Sequence, residues 1–270
     1  MADYRDKSFW LSNLEIEPNP PVRGDQQCDV AIVGGGFTGL STAYHLAEFD
    51  PSLDVRVLEK EVAGWGASGR NGGFSMTLFG LTLATTVLRY GRERTAEAHR
   101  YMCEAVSELR EIVEREGIDC DYEHPGFLRV ATSGGYERRL RKEMQLAEEM
   151  GLEGFEWLGA DELAEEVRSP EFGPAIREHH CGLIDPAKQA RGLKRVVEER
   201  GVEIHEGTLV ESIERDGEVR LQTPGGTVRA EKAVLATNGY SHQIDAIRRK
   251  QTPAFTYIVV TEPLEARHFE

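Results

Sequence analysis

The run Gly34-Gly35-Gly36-Phe37-Thr38-Gly39 follows directly on a short apolar stretch, Cys28–Val33, that is rich in β-branched residues. It opens a segment, Phe37–Glu48, whose apolar residues Leu40, Ala43, Tyr44 and Ala47 recur at helical spacing. The first stretch predicts a buried strand and the second a helix. A second strand is predicted over Asp54–Glu59, where Val55, Val57 and Leu58 are apolar. Strand, glycine turn, helix and strand within about 30 residues make a βαβ unit with parallel strands and a right-handed crossover.

Each glycine of the G-x-G-x-x-G spacing has its own physical reason. Gly34 permits the sharp turn out of the strand, Gly36 lets backbone approach a pyrophosphate, and Gly39 allows close packing of helix on strand. The helix that follows begins with unpaired N–H groups and a partial positive charge suited to phosphate. Glu59, twenty residues beyond Gly39, ends the second predicted strand and is placed to accept hydrogen bonds from a ribose hydroxyl pair. Its charge would repel a 2′-phosphate, which argues against NADP. A second glycine-rich run, Gly64-Trp65-Gly66-Ala67-Ser68-Gly69-Arg70-Asn71-Gly72-Gly73, comes next. A nicotinamide dehydrogenase has no need of it, whereas a flavin extends past the pyrophosphate and requires close backbone approach. The two runs together point to FAD, with Arg70 offsetting phosphate charge and Asn71 bonding to the ring edge.

Charge and composition exclude other classes. Acidic residues outnumber basic ones 47 to 32, a formal net charge of −15, and the one basic run is Arg248-Arg249-Lys250. Such a chain repels a phosphate backbone, so no nucleic-acid partner is expected. No window approaches the roughly 18 apolar residues of a membrane span, and the charged N-terminus lacks an apolar signal core. Cys28, Cys103, Cys120 and Cys181 are far apart, which fits reduced thiols in a cytoplasmic protein. His179-His180-Cys181 would alternate across a strand and converge poorly on one ion, so no metal is expected.

Elsewhere the patterning predicts a short helix over Arg5–Leu14, helices over Thr85–Glu116 (with a break at Gly91), Gly135–Met150 and Ala187–Glu199, and strands near Tyr122, over Phe127–Ala131 and over Ile176–Ile184. Short strands follow over Val202–His205, Leu209–Arg215, Val219–Thr223, Val228–Ala230 and Ala233–Ala236, with one more β-rich run over Phe255–Thr261.

The segments DVAIVGGGFTGLSTAYHL (29–46), LEKEVAGWGASGRNGG (58–73), GLIDP (182–186) and AVLATNGY (233–240) resemble the D-amino-acid-oxidase superfamily of FAD-dependent amine oxidoreductases. Within it the chain looks most similar to the γ-glutamylputrescine oxidase branch. The resemblance covers most of residues 25–262. It implies an α/β fold: a Rossmann-like FAD-binding domain with an inserted α+β substrate domain. The implied segments are an N-terminal extension (1–24), the FAD-binding domain (25–82 and 185–245), the substrate domain (83–184) and the start of a returning substrate-domain strand (246–270). It also implies that Lys60 lies near the adenosine ribose, that Val210 lends backbone groups to the adenine, and that Ala236, Thr237 and Gly239 lie beside the pyrophosphate and ribitol. Members of the superfamily continue past the point where this chain stops, so the C-terminal part is expected to be missing. A truncated product and a second, completing polypeptide both account for that, and a homo-oligomer stays open.

The activity the resemblance implies is oxidation of a C–N bond of an amine or amino acid by hydride transfer to flavin N5, followed by imine hydrolysis and reoxidation by O₂. A flavin dehydrogenase with another acceptor and a truncated, non-catalytic nucleotide-binding remnant or subunit are the alternatives. Flavin carries this chemistry, so no acid–base dyad is required and no catalytic side chain is assigned. Cys28 is expected in the core, Tyr240 and Tyr257 read either as residues that approach the substrate or, as buried aromatics more often are, as plain core, His45 is expected to serve packing or to face solvent, and His124, His205 and His242 have no partner legible in the sequence.

Overall fold

The structure, a computed structural model, describes residues 8–77 and 80–268, which form two compact units. Of the described residues, the first holds those through Gly72, Ile118–Cys120 and those from Asp185 onwards; the second holds those of Gly73–Gly117 and Asp121–Ile184. The insertion begins about ten residues before the predicted boundary at 82. Backbone bonding explains the shift: Ile184 donates to the Gly73 carbonyl at 2.8 Å and Phe74 pairs with Leu183, so 73–75 belong with the inserted chain. Among the described residues, 246–268 group with the first unit.

The first unit opens with α1 (Phe9–Ser12), capped by the Ser8 hydroxyl on the Leu11 amide. This is shorter than the predicted Arg5–Leu14 helix, whose residues 5–7 lie outside the described residues. Then come β1 (Gln26–Val33), α2 (Phe37–Phe49) and β2 (Val55–Leu58), the predicted βαβ unit. In the second unit the chain forms β3 (Phe74–Ser75), α3 (Leu83–Tyr90), α4 (Arg92–Arg115), β4 (Phe127–Val130), α5 (Gly134–Glu149), β5 (Phe155–Leu158), α6 (Ala160–Leu163), β6 (Ala175–Glu178) and β7 (Gly182–Leu183). It returns to the first unit as α7 (Pro186–Glu199), β8 (Glu203–His205), β9 (Ser212–Asp216), β10 (Glu218–Thr223) and β11 (Gly226–Leu235).

The first unit is built on a six-stranded sheet in the order β8-β2-β1-β11-β10-β9. β1 pairs in parallel with β2 and β11, and β2 in parallel with β8. β10 and β9 add an antiparallel meander beside β11. β1 is central and its last four residues, Val30–Val33, are buried without alternation, as expected of a parallel strand covered on both faces. Cys28, Ala31, Val33, Leu58, Leu221, Val228 and Ala230 belong to one cluster of the buried core. On α7, Asp185 caps the amides of Ala187 and Lys188, Pro186 presets the first turn, and Ala187, Ala190, Leu193, Val196 and Val197 are buried. That helix packs on α2, where fully buried Tyr44 lies under the Arg200 guanidinium at 4.3 Å.

Three departures from the predicted elements have physical causes. β11 is one strand where two were predicted, because the exposed pair Glu231-Lys232 reads as a break while the parallel ladder to β1 carries on from Val228 to Leu235. Ile176–Ile184 splits into β6 and β7, which belong to different sheets. Phe255–Thr261 forms no strand among the described residues; Phe255, Tyr257 and Val259 are exposed and no ladder partner lies alongside.

The second unit holds the antiparallel sheet β4-β6-β5 and the two-stranded pair β3-β7. Leu140 of α5 packs on Ala131 and Ile176, while Leu163 of α6 packs with Leu158 and Ala175. β5 was not legible in advance: four residues between Gly154 and Gly159 carry too little alternation. The break between α3 and α4 falls at Gly91, at φ +82°. Among the described residues no helix is long and apolar enough to cross a membrane.

Candidate cofactor site

The parallel strands of the first unit finish together. Val33 is in register with both Leu58 and Leu235, and Leu58 with His205. The ladder runs one step further, with Gly34 N–H donating to Leu58 (2.9 Å), Ala236 to Val33 (2.8 Å) and Glu59 to His205 (2.9 Å). In open α/β sheets the crevice beyond such carboxyl ends is where ligands bind.

The glycine loop fits that edge closely. A Cβ on Gly34, whose φ is +110°, would sit 2.6 Å from the Ala236 carbonyl oxygen, and one on Gly39 would sit 1.9 Å from the Gly34 carbonyl oxygen. These are backbone obstacles, so the turn and the helix–strand contact both need glycine. A Cβ on Gly36 would instead meet the Ser68 hydroxyl at 2.8 Å. Gly36 occupies the N-cap position of α2 and offers no side-chain cap. The cap comes from the second glycine loop: Phe37 N–H donates to Ser68 Oγ at 2.9 Å. Thr38, on the first turn of α2, is exposed.

Glu59 follows β2 directly. Its Oε2 accepts from Gly35 N–H at 2.6 Å and its Oε1 from Glu61 N–H at 2.9 Å. Burial pushes its carboxyl above the usual range, against the pull of those two amides. Lys60 is exposed. The second loop is tied to the first by Gly64 N–H donating to the Gly35 carbonyl at 2.9 Å. Ala67–Gly69 form a single 3₁₀ turn, and Asn71 Nδ2 donates to the Ser68 carbonyl at 2.9 Å. Arg70 stacks 4.0 Å from the Trp65 ring and donates through Nε to the Trp65 carbonyl at 2.7 Å. Two buried donors there, Arg70 Nη2 and Trp65 Nε1, have no hydrogen-bond partner among the described residues.

The predicted residues 34, 36–39, 59, 67, 68, 70 and 71 therefore cluster at this edge, with Ala236 and Thr237 beside Gly34 and Gly239 in the turn that follows. Thr208 N–H donates to the Glu59 carbonyl, and Val210, two residues on, packs against the sheet core. Gly72 is exposed at the end of the loop; Gly73 belongs to the second unit. Tyr240 and Tyr257 are corrected: at 40% and 89% exposure neither is core. Cys28 is core, and burial pushes its thiol up to about 12. His45 is exposed beside Glu48, His124 stacks on Tyr122, His205 Nε2 lies 3.5 Å from Glu203, and His242 Nδ1 lies 2.7 Å from the Gly239 carbonyl.

One buried acid beside this edge was not singled out in the sequence. Glu206 is fully buried and accepts from Ala63 N–H (2.6 Å), Asn19 N–H (2.7 Å) and Arg191 Nη1 (2.8 Å). Its only sequence signal is an acid one residue past a strand end, the same position Glu59 holds after β2.

The parallel-sheet core, the glycine cradle and the acidic residue after β2 define a dinucleotide-binding α/β protein. Residues 29–270 match the family model described as FAD dependent oxidoreductase, and the chain belongs to that family. It is 33% identical over 266 residues to the gamma-glutamylputrescine oxidoreductase of Escherichia coli, which spans 98% of this chain and 62% of that protein. It is 29% identical over 218 residues to the glycine oxidase of Bacillus licheniformis, covering 79% of this chain and 54% of that protein. The crystal structure of glycine oxidase from Geobacillus kaustophilus superposes with a TM-score of 0.67 at 24% identity, over 82% of this chain and 58% of that one, which supports the shared fold. The chain thus spans about three fifths of the length of the curated relatives it matches.

Proposed function

We propose that this chain forms the FAD-binding part of an oxidoreductase that oxidises a C–N bond of an amine or amino acid. The single observation that carries the reading is the convergence of Gly36, the start of α2, Ser68 and Glu59 at the carboxyl ends of β1, β2 and β11. That cradle has the backbone room, the helix terminus and the carboxylate that a dinucleotide requires. The unpartnered donors Arg70 Nη2 and Trp65 Nε1 fit a second polar group on the same ligand. Family membership selects FAD.

In this reading Gly34, Gly36, Phe37, Thr38 and Gly39 face the pyrophosphate, and Glu59 and Lys60 the adenosine ribose. The stretch at Val210 serves the adenine. Ala67, Ser68, Arg70, Asn71, Gly72 and Gly73, with Ala236, Thr237 and Gly239, serve the rest of the cofactor. The first unit is the cofactor domain and the second contributes to substrate binding, in a cytoplasmic enzyme. When bound, FAD would supply the hydride acceptor for oxidation of the amine to an imine, which water would hydrolyse to a carbonyl and a free amine, with O₂ as the final acceptor giving hydrogen peroxide. The chain's own residues bind and orient; Glu59 accepts hydrogen bonds as the carboxylate.

Reconstitution tests this directly. The purified chain is expected to take up FAD with a shift of the flavin absorption bands, and to lose that uptake in Gly36→Val. A chain that binds adenine nucleotides but never FAD would overturn the reading. Peroxide release on adding amines or amino acids, against dye reduction without oxygen, decides the electron acceptor.

A further inference from the structure

Three hydrogen bonds connect α1 to the first turn of α2. Trp10 Nε1 donates to the Asn71 carbonyl at 2.8 Å, Asn71 Nδ2 donates to the Ser68 carbonyl at 2.9 Å, and Ser68 Oγ accepts from Phe37 N–H at 2.9 Å. A parallel tie comes from Ser8, whose hydroxyl donates to the Gly69 carbonyl at 2.5 Å while capping the Leu11 amide. Packing holds α1 in place from beneath. Leu11 is fully buried in a cluster with Ile16, Val62 and Ala187, and Trp10, Leu14 and Trp65 pack against it. A Cβ on Gly69 would lie 3.5 Å from the Leu11 side chain, so the 3₁₀ turn rests on this helix.

The start of the second glycine loop is tied to the first loop by Gly64 N–H on the Gly35 carbonyl, and Arg70 bonds back to the Trp65 carbonyl; the ties from α1 fall further along, at residues 69 and 71. Ala67 and Gly72 are exposed, and the loop's one regular element is that three-residue turn. A glycine-rich loop samples many conformations, and bonds from a fixed neighbour select one. α1 lies outside the βαβ unit, and nothing about the pyrophosphate loop requires it.

We infer that α1 is a strap that positions the second glycine loop for the cofactor, with Trp10 and Ser8 as positioning residues that act through Asn71 and Gly69. The inference rests on the proposed FAD site and deepens it. Trp10 and Ser8 need not touch the cofactor. They hold the carbonyls of residues 69 and 71, and through Asn71 the cap on α2.

The test is hydrogen exchange on the FAD-free chain, paired with FAD titration and visible circular dichroism of the bound flavin. Trp10→Phe keeps an aromatic ring at the position, though a smaller one, and removes the donor; Ser8→Ala removes the other tie. Each is expected to speed exchange across residues 66–72 by about 3- to 10-fold, the effect of losing one net hydrogen bond. Exchange in β1 should stay unchanged, which reports that the unit remains folded. FAD affinity should fall by a similar factor, and the visible dichroism of the bound flavin should change. Ser12→Ala is the control: its hydroxyl bonds only the Phe9 carbonyl within α1, and it should leave loop exchange, affinity and dichroism as in the wild type. Unchanged exchange at 66–72 in both Trp10→Phe and Ser8→Ala would overturn the strap, as would faster exchange with unaltered FAD affinity and dichroism. A wild-type chain that binds no FAD while the variants still loosen the loop would count against the proposed function, and so against the strap's role toward the cofactor.

Discussion

Ser68 sets its hydroxyl oxygen 2.9 Å from the backbone nitrogen of Phe37, so a residue of the second glycine loop caps the helix that the first glycine loop opens. An α2 without its own N-cap side chain thereby has one amide satisfied from a distance of 31 residues in sequence. The two loops are joined at the first turn of α2.

The glycines of that site should separate by what they meet. At Gly36 the obstacle is the end of a movable side chain, whereas at Gly39 it is the Gly34 carbonyl at 1.9 Å. Gly36→Val is therefore expected to yield a folded protein with FAD affinity reduced by at least about tenfold. Gly39→Val should lose its cooperative unfolding transition or its soluble expression. Circular dichroism and flavin titration of the pair check this. Equal loss of fold in both would show that Gly36 is needed for packing and not for the ligand.

Glu59 should make cofactor affinity depend on pH. Burial raises its pKa, although Glu61 and Gly35 amides favour the ionised form. The ionised carboxylate is the better acceptor for ribose hydroxyls. FAD affinity is therefore expected to weaken as pH falls through that raised pKa, and to be full above it. Glu59→Ala should weaken binding by about 1.5–3 kcal/mol at neutral pH, the contribution of a hydrogen bond to a charged group. It should also flatten the profile. An unchanged slope in Glu59→Ala would assign the titration to another group.

Legibility in the sequence followed the range of the interactions. The βαβ unit was readable because strand, glycine turn and helix are local patterns, and Glu59 because its distance from Gly39 follows from that topology. α7 was readable for the same reason, with Asp185-Pro186 at its start and Gly201, at φ +87°, just past its end. The continuity of β11 was not, since it depends on a ladder to residues two hundred positions away. Nor was the role of Trp10, whose partner is 61 residues distant. An isolated tryptophan near an N-terminus carries no pattern; only the fold shows that its indole N–H reaches the Asn71 carbonyl. Phe255–Thr261 failed in the opposite sense, because local β-propensity without a neighbouring strand makes no ladder.

The second unit should respond to pH through Glu178. This residue of β6 is 1% exposed, and among the described residues neither carboxylate oxygen has a hydrogen-bond partner. Burial pushes its pKa up to about 7 from an ordinary 4.5; Arg129 opposes the shift and Glu143 adds to it. Arg129 is itself engaged by Glu143 at 2.6 Å. Between pH 4.5 and 7 the folded chain holds this proton and the unfolded chain does not, so Glu178 makes stability fall as pH rises across that window. Glu178→Gln is expected to stabilise by about 2–4 kcal/mol at pH 8 and to change little at pH 4. Urea unfolding of wild type and variant at both values reads the difference; equal gains at the two pH values would mean that packing, not ionisation, is responsible.

Glu206 should behave in the opposite way when removed. It is as buried as Glu178 but fully partnered, with the Ala63 and Asn19 amides and the Arg191 guanidinium on its two oxygens and Lys194 Nζ at 4.0 Å. Taking away one side of such a cluster leaves two backbone donors and a cation without their acceptor. Glu206→Leu is accordingly expected to cost about 3–5 kcal/mol, measured by urea unfolding, even though leucine is apolar and close in size. Because Ala63 precedes Gly64, whose amide bonds the Gly35 carbonyl, the loss should also release the start of the second glycine loop and lower FAD affinity in protein that still folds. Glu206→Gln keeps an acceptor oxygen and should recover part of both losses. If leucine were tolerated with wild-type stability, the buried carboxylate would be an incidental feature of the sheet edge and not the tie between residues 19, 63 and 191.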